Sequence, residues 1–383
     1  MKKIIVFNCT TNNTGGAIQN AVNFINEIMN NDGYGFDWFF FVSPEVAAQV
    51  TGLIPTGKIF ISDKSPAQSF VWRKRIYEKA NKTQPDLIYT SAGPAYVDFK
   101  QAHIMGCSNP YILGATKEAL RKHGGLVKRL IRRFHTIYQR HHIRKAKYWI
   151  VQTEESKRQL KNVVGKGENI FIIYNAISAI FFDAHQANNK KEEFYSDVPH
   201  EILNKKISIL IPSAWYAHKD LETVPFIIKM LIQRFQLKLK VTFTIDTLHW
   251  NSIKEIATKL GVEKYICNYG PFSRKEAVGL YLEHDIILQP SLLEVFSTSY
   301  IEAMAVKKPL VVPLLPFSKG ICGEYAYYYT CNDYNTYVDS IVYAIKRVDF
   351  AKKIISANNI LHKYGTQQKR TENIISVMKK LLA

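Results

Sequence analysis

Two registers of apolar spacing alternate along this chain. Short apolar runs recur, and most are followed by a stretch with apolar residues at three- and four-residue steps. The first pattern predicts buried strands and the second predicts amphipathic helices. Residues 3–8 (KIIVFN) predict a strand, and Ile18, Ala21, Val22, Ile25 and Ile28 mark one face of the helix after it. Further strands are predicted at Phe36–Val42, Lys58–Ser62, Asp86–Thr90, Tyr148–Gln152, Ile207–Pro212, Lys240–Ile245, Tyr265–Tyr269, Asp285–Gln289 and Pro309–Pro313. Helices are predicted over Ser69–Asn81, Glu154–Val163, Ser252–Leu260, Lys275–His284, 335–348, 350–361 and 367–382. Strands that alternate with helices predict parallel α/β sheets. With 383 residues the chain is long enough for two full cores. Residues 183–205 are polar and aperiodic and read as a linker, which divides the chain into 1–182, 206–364 and a last helical segment, 365–383.

The stretch Pro290–Pro309, PSLLEVFSTSYIEAMAVKKP, carries the densest chemistry. It sets Glu294 in a loop after a strand and Glu302 about two residues into a helix, with Ile301, Met304 and Ala305 on one helix face. Carboxylates accept hydrogen bonds from vicinal hydroxyls, and a helix N-terminus offers free N–H groups to phosphate or sugar oxygens. Taken alone, the pair favours a solvated pair at the start of a surface helix.

With its flanks, this stretch resembles the E-x7-E signature of the family 4 retaining glycosyltransferases. The chain has Val295 and Ser297 where that family has the glycines of E-G-F-G. The resemblance implies the GT-B fold: α/β, two Rossmann-like domains facing each other across a deep cleft, with a C-terminal helix crossing back to the first domain. Residues 1–182 would be the acceptor side and 206–364 the nucleotide-sugar side. It implies sugar transfer from a nucleotide diphosphate sugar (UDP, GDP or dTDP) to an acceptor hydroxyl with retained configuration. Glu294 would hold donor-sugar hydroxyls, backbone N–H groups of Phe296, Ser297 and Thr298 would meet sugar and diphosphate, and Glu302 would hold the ribose. Lys219, in His218-Lys219-Asp220-Leu221, stands at the family's diphosphate-binding lysine, and Ala214 stands where an arginine is usual. His218 would touch the donor or orient the loop. Gly15-Gly16 stands at the family's Gly-Gly loop near the donor phosphate; by itself it reads as a tight turn. His103 falls where the family often has an acceptor-side histidine, and a structural histidine is the other reading. A non-catalytic nucleotide-sugar binder, or another GT-B enzyme such as an epimerase or phosphorylase, stays as the rival reading.

Charge adds one feature. The net charge is +19, with 25 Lys+Arg against 12 Asp+Glu in residues 1–180 and 26 against 20 in 181–383. Residues 117–147 hold eleven Lys or Arg and one acid, Glu118, with Leu126, Val127, Leu130, Ile131, Phe134, Ile137, Tyr138 and His141 on a helical face. Such a helix suits an anionic membrane, or packs its apolar face inward and solvates its basic back. The membrane reading fits a lipid-linked saccharide acceptor in cell-surface polysaccharide or O-antigen synthesis, at the inner face of the cytoplasmic membrane. Nucleic acid is not expected, since no recognition motif accompanies the charge. No Asp-x-Asp, H-E-x-x-H or C-x-x-C occurs, so neither a metal nor another cofactor is expected. The five scattered cysteines read as reduced thiols of a cytoplasmic protein.

Overall fold

The computed structural model describes residues 2–189 and 206–383, apart from Thr14, His123 and Lys166. The first stretch runs β1 (Ile4–Cys9), α1 (Gly15–Asn30), β2 (Asp37–Val42), α2 (Pro44–Val50), β3 (Ile59–Ile61), α3 (Phe70–Thr83), β4 (Leu87–Thr90), β5 (Ala102–Gly106), α4 (Pro110–Gly114), α5 (Lys117–Arg121), α6 (Leu126–Ile143), β6 (Tyr148–Val151), α7 (Glu154–Val164), β7 (Ile170–Ile172) and α8 (Ala179–Asn189). The second runs β8 (Lys206–Ile211), α9 (Val224–Phe235), β9 (Lys238–Phe243), α10 (Thr247–Lys259), β10 (Ile266–Asn268), α11 (Arg274–Leu282), β11 (Ile286–Leu288), α12 (Thr298–Ala305), β12 (Leu310–Pro313), α13 (Pro316–Cys322), β13 (Tyr327–Tyr329), α14 (Tyr334–Ile345), α15 (Phe350–Leu361) and α16 (Gln367–Leu382). These elements form two compact units. Unit 1 holds Met1–Gly114, Leu130–Ala176 and Gly365–Ala383; unit 2 holds Ala115–Arg129 and Ile177–Tyr364.

Unit 1 is built on a parallel sheet of order β3-β2-β1-β4-β5-β6-β7. β1 sits near its middle and reads Ile-Ile-Val-Phe-Asn-Cys without polar alternation, because both of its faces are covered. On one side Phe7, Phe24, Trp38, Phe40 and Tyr89 pack ring against ring. Ile374, Ile375 and Met378 of α16 enter that same core, and α16 lies against α1. Unit 2 carries a parallel sheet of order β10-β9-β8-β11-β12-β13. In each sheet the strand order reverses beside a central strand, at β1/β4 and at β8/β11. In such sheets a crevice opens beyond the carboxyl ends of the two diverging strands, and ligands bind there.

Four stretches differ from the sequence reading. The segment read as a linker begins inside α8, so 183–189 is helix; residues 190–205 lie outside the described residues. Its polar composition hides a helix whose Phe181 is fully buried against Tyr281. Residues 177–182, read with the first domain, belong to unit 2. The basic stretch 117–147 is two helices, α5 and α6, parted at Gly124-Gly125, where Gly124 has φ +97°. Its first part, Ala115–Arg129, belongs to unit 2. The fourth is α12, which starts at Thr298, so Glu302 is the fifth helical residue rather than about the second.

α6 also answers the question its periodicity left open. Gln139, His142 and Ile143 are its buried residues. Leu126, Val127, Leu130, Ile131, Phe134 and Ile137 are each more than half exposed. The apolar face therefore points outward among the described residues.

Candidate active site

The loops that follow β8 and β11 carry the chemistry of unit 2, at the switch point of its sheet. They are stitched together by the backbone. Leu292 N donates to His218 O at 2.8 Å, and Gln289 Nε2 donates to Pro212 O at 2.7 Å. After β8 the chain makes a short turn, Ala217–Lys219, which ends at Asp220 with φ +55°. That left-handed residue turns the chain sharply, and aspartate tolerates the conformation better than most residues. Asp220 is buried. Its Oδ1 accepts from Thr223 Oγ1 at 2.6 Å and also pairs with the Lys122 ammonium, just beyond α5.

The turn delivers Lys219 onto Glu294. Lys219 Nζ donates to Glu294 Oε1 in a close ion pair whose side chains are 14% and 13% exposed. Ordinary surface pairs are far more solvated and contribute little. Here a cation and an anion, 75 positions apart in sequence, meet in a nearly dry place at the switch point. His218 stacks beside Tyr216, with ring centroids 5.6 Å apart. Trp215 lies flat on His249 at 3.9 Å, and its indole N–H donates to Glu222 at 3.2 Å. Ala214 is exposed and supplies no charge.

Beyond Glu294, Val295 is buried and Phe296 rests on Tyr364, with centroids 5.4 Å apart. Ser297 is buried, stands at the N-terminal boundary of α12 without a side-chain capping bond, and shares a 2.8 Å hydrogen bond with the Ser299 hydroxyl. Thr298 opens the helix and is exposed. The first residues of a helix lack a preceding carbonyl to bond, so their N–H groups are available to an anion. Glu302 accepts from the Tyr281 hydroxyl at 2.7 Å. Burial raises its carboxyl above the usual 4.5, opposed by the hydrogen bond from Tyr281, the charge of Arg274 and a hydrogen bond from Thr298. Tyr281 is held in turn by Phe181 of α8, at 5.2 Å.

Unit 1 holds the remaining residues. Gly15 opens α1 with φ +53°, and a Cβ there would meet nothing within 4 Å; the backbone conformation, rather than space, favours glycine. The loops after β1 and β4 are joined by Thr11 Oγ1 to Ala92 O at 3.0 Å and Asn12 Nδ2 to Ser91 Oγ at 2.9 Å. Gly15-Gly16 thus stands at the switch point of the unit 1 sheet. His103 does not line that crevice. It lies in β5, buried, with its Nε2 2.8 Å from Thr90 Oγ1 and its ring edge-on to Phe99. Burial depresses its pKa to about 3, so it stays neutral as a structural histidine.

The structure therefore brings Lys219 onto Glu294, and Thr298 onto Glu302. Sequence reasoning missed Lys122, Asp220 and Tyr281. Asp220 adjoins Lys219 and offered a signal; Lys122 was one of eleven basic residues, and Tyr281 looks like ordinary core. Among the described residues, no group of three His, Cys, Asp or Glu could hold a metal ion.

Residues 231–359 match the family model described as "Glycosyl transferases group 1". No curated protein matches the chain by sequence. Three solved structures are similar over nearly their whole length. A glycosyltransferase from Rickettsia africae has TM-score 0.69 and 16% identity, covering 100% of this chain and 99% of its own. The lipopolysaccharide outer core galactosyltransferase WaaB has TM-score 0.64 and 15% identity, covering 99% and 100%. HepE of Anabaena, in complex with UDP-glucose, has TM-score 0.67 and 13% identity, covering 99% and 100%. At such identities the likeness shows the fold, which is GT-B.

Proposed function

We propose, from the match of residues 231–359 to the model of the group 1 glycosyltransferases, that the chain moves a sugar from a nucleotide diphosphate sugar to a saccharide hydroxyl with retained configuration. One observation carries this reading: the buried Lys219–Glu294 pair at the β8/β11 switch point. Lys219 is the diphosphate cation. It offsets the charge that grows on the leaving group as the glycosidic bond lengthens, and preorganised stabilisation of such developing charge usually lowers the barrier more than any other single effect. Glu294 holds sugar hydroxyls, and its side chain keeps Lys219 aimed. The amides of Phe296, Ser297 and Thr298 face sugar and diphosphate, and Glu302 takes the ribose hydroxyls. The departing diphosphate takes the acceptor's proton. Gly15-Gly16 lets the backbone approach the donor phosphate, and His218 orients the Lys219 turn.

In this reading the reaction needs no metal or other cofactor. The nucleotide is UDP, GDP or dTDP; a UDP-glucose complex of the similar HepE supports the first. The acceptor is a lipid-linked saccharide of surface polysaccharide or O-antigen, reached from the inner face of the cytoplasmic membrane. The outward apolar face of α6 and its basic residues support that placement. No helix among the described residues is long and apolar enough to cross a membrane.

Calorimetry with the three nucleotide diphosphates and their sugars tests the donor site, with wild type beside Lys219→Ala and Glu302→Ala. One nucleotide class binds wild type, and each variant loses at least about tenfold in affinity, the loss expected when one charge-assisted hydrogen bond is removed. A wild-type protein that binds none of them overturns this reading, and one that binds a nucleotide sugar but neither transfers nor hydrolyses it is the non-catalytic alternative, which Ala214 and Val295 favour. Proton NMR of the glycoside then reads whether the anomeric configuration is kept.

A further inference from the structure

The outward face of α6 does not stand alone. Arg73 of α3 donates from Nε to Pro66 O and from Nη2 to Ala67 O, which fixes its guanidinium in place. Its plane then lies 4.5 Å from the Phe70 ring, 5.3 Å from Tyr96 and 5.9 Å from Tyr138. Tyr138 is on α6, so one arginine joins the first turn of α3 to α6 within unit 1. In that turn Phe70 is 78% exposed and Val71 61%. Phe134 and Ile131 of α6 are 69% and 62% exposed. Large apolar side chains do stand singly on protein surfaces, but contiguous sets on two neighbouring helices mark an interaction surface.

The flanks of the patch say what covers it. α6 carries Lys128, Arg129, Arg132, Arg133 and Arg140 and no acid. α3 carries Arg73, Lys74, Arg75, Lys79 and Lys82 against a single acid, Glu78. A second copy of this chain on the same face would set these two basic helices against themselves. The occupant must accept apolar side chains to a shallow depth and bring negative charge around them. An anionic bilayer does both.

We propose that the first turn of α3 and the outward face of α6 form one docking surface for an anionic lipid bilayer, with Phe70 and Val71 as a second insertion point beside Ile131 and Phe134. This rests on the reading in which a membrane presents the acceptor. Two insertion points fix a plane, whereas a single helix leaves rotation about its axis free. Arg73 is the strut between them rather than a lipid contact.

The test is co-sedimentation with phosphatidylcholine vesicles, with and without phosphatidylglycerol, at low and raised salt. The variants are Phe70→Ser/Val71→Ser and Ile131→Ser/Phe134→Ser. All four side chains are exposed, so melting temperatures stay near wild type. Wild type sediments with the phosphatidylglycerol vesicles only, and salt releases it. Each double variant binds about tenfold or more weakly, since each withdraws two apolar side chains from the bilayer. If the α3 pair binds like wild type while the α6 pair fails, the second insertion point is wrong and the membrane reading stands. If wild type ignores both kinds of vesicle, the membrane reading itself falls and the proposal with it. A dimer that Phe70→Ser/Val71→Ser dissolves in sedimentation velocity would make a second copy the occupant and overturn the proposal.

Discussion

The role proposed for Lys219 requires that the turn that carries it keep its shape, and that shape hangs on Asp220. The aspartate sits at positive φ, is buried, and is neutralised by Lys122. Removing the partner of a buried charge costs more than the pair itself contributes. Lys122→Met is expected to weaken nucleoside diphosphate binding about tenfold, on the order of 1–2 kcal/mol, and to leave nucleoside monophosphate binding nearly unchanged. Lys122→Arg restores it. Equal loss for both nucleotides would make Lys122 a general structural residue. Glu302 carries a second prediction. Its folded-state carboxyl is raised above 4.5 by burial, and in the role proposed for it the ionised form is the one that accepts ribose hydroxyls. Nucleotide affinity therefore falls as pH drops from neutral towards that raised value, sooner than for an exposed glutamate. The effect on stability has the opposite sign. The folded state takes up the proton first, so the unfavourable contribution present at neutral pH is relieved as pH falls through the raised value. Glu302→Gln removes the acid arm of a calorimetric affinity-versus-pH profile; a profile that keeps it assigns the proton elsewhere. Glu294, Glu302 and Lys219 were legible in the sequence because a motif fixes residue type and spacing together. Lys122 and Tyr281 were not, because their meaning comes from partners about 98 and 21 positions away that no local pattern records.

Helices and strands were legible where periodicity is strong, and their faces were not. The stripe on α6 is plain in the sequence, yet a stripe records only that one side is apolar. Whether that side meets core or surroundings depends on what the rest of the chain brings to it, and here only the residues at the C-terminal end of α6 are covered. β13 is three tyrosines at a sheet edge, too short to show a period. α8 was hidden by its polar residues. It packs on α11 and α12, the helices that carry Tyr281 and Glu302. Phe181→Ala is expected to destabilise unit 2 by about 3–4 kcal/mol, the usual cost of emptying a buried aromatic site. It should also weaken nucleotide binding, since Tyr281 loses the ring that holds it against Glu302. Thermal melts with and without saturating nucleoside diphosphate check both parts. A variant that melts lower but binds as tightly as wild type would show that Tyr281 is held without Phe181.

Across the full chain, sequence order and compact units part company. The chain leaves unit 1 at Ala115, returns at Leu130, leaves again at Ile177 and comes back at Gly365. Composition marked only one of these crossings, near the polar run, because a crossing needs no change of composition when both sides pack equally well. The last return has an energetic consequence. Ile374, Ile375 and Met378 of α16 are essentially fully buried in the core that Phe7, Phe24 and Tyr89 build, and Arg370 is buried close to Tyr89. Three such burials contribute roughly 5–9 kcal/mol, comparable to the total stability of an ordinary domain. Deleting residues 365–383 is therefore expected to abolish the cooperative melt of unit 1 and expose its basic helices to trypsin. Unit 2 keeps its own core, β8 to β13, together with the Lys219–Glu294 pair. The shortened chain should still be stabilised by the nucleoside diphosphate that stabilises the full one, and should transfer no sugar. Calorimetry and limited proteolysis read the two units apart. A single unchanged melt would mean that α16 is dispensable to the core it enters, and loss of nucleotide binding would mean that unit 2 does not hold its site by itself.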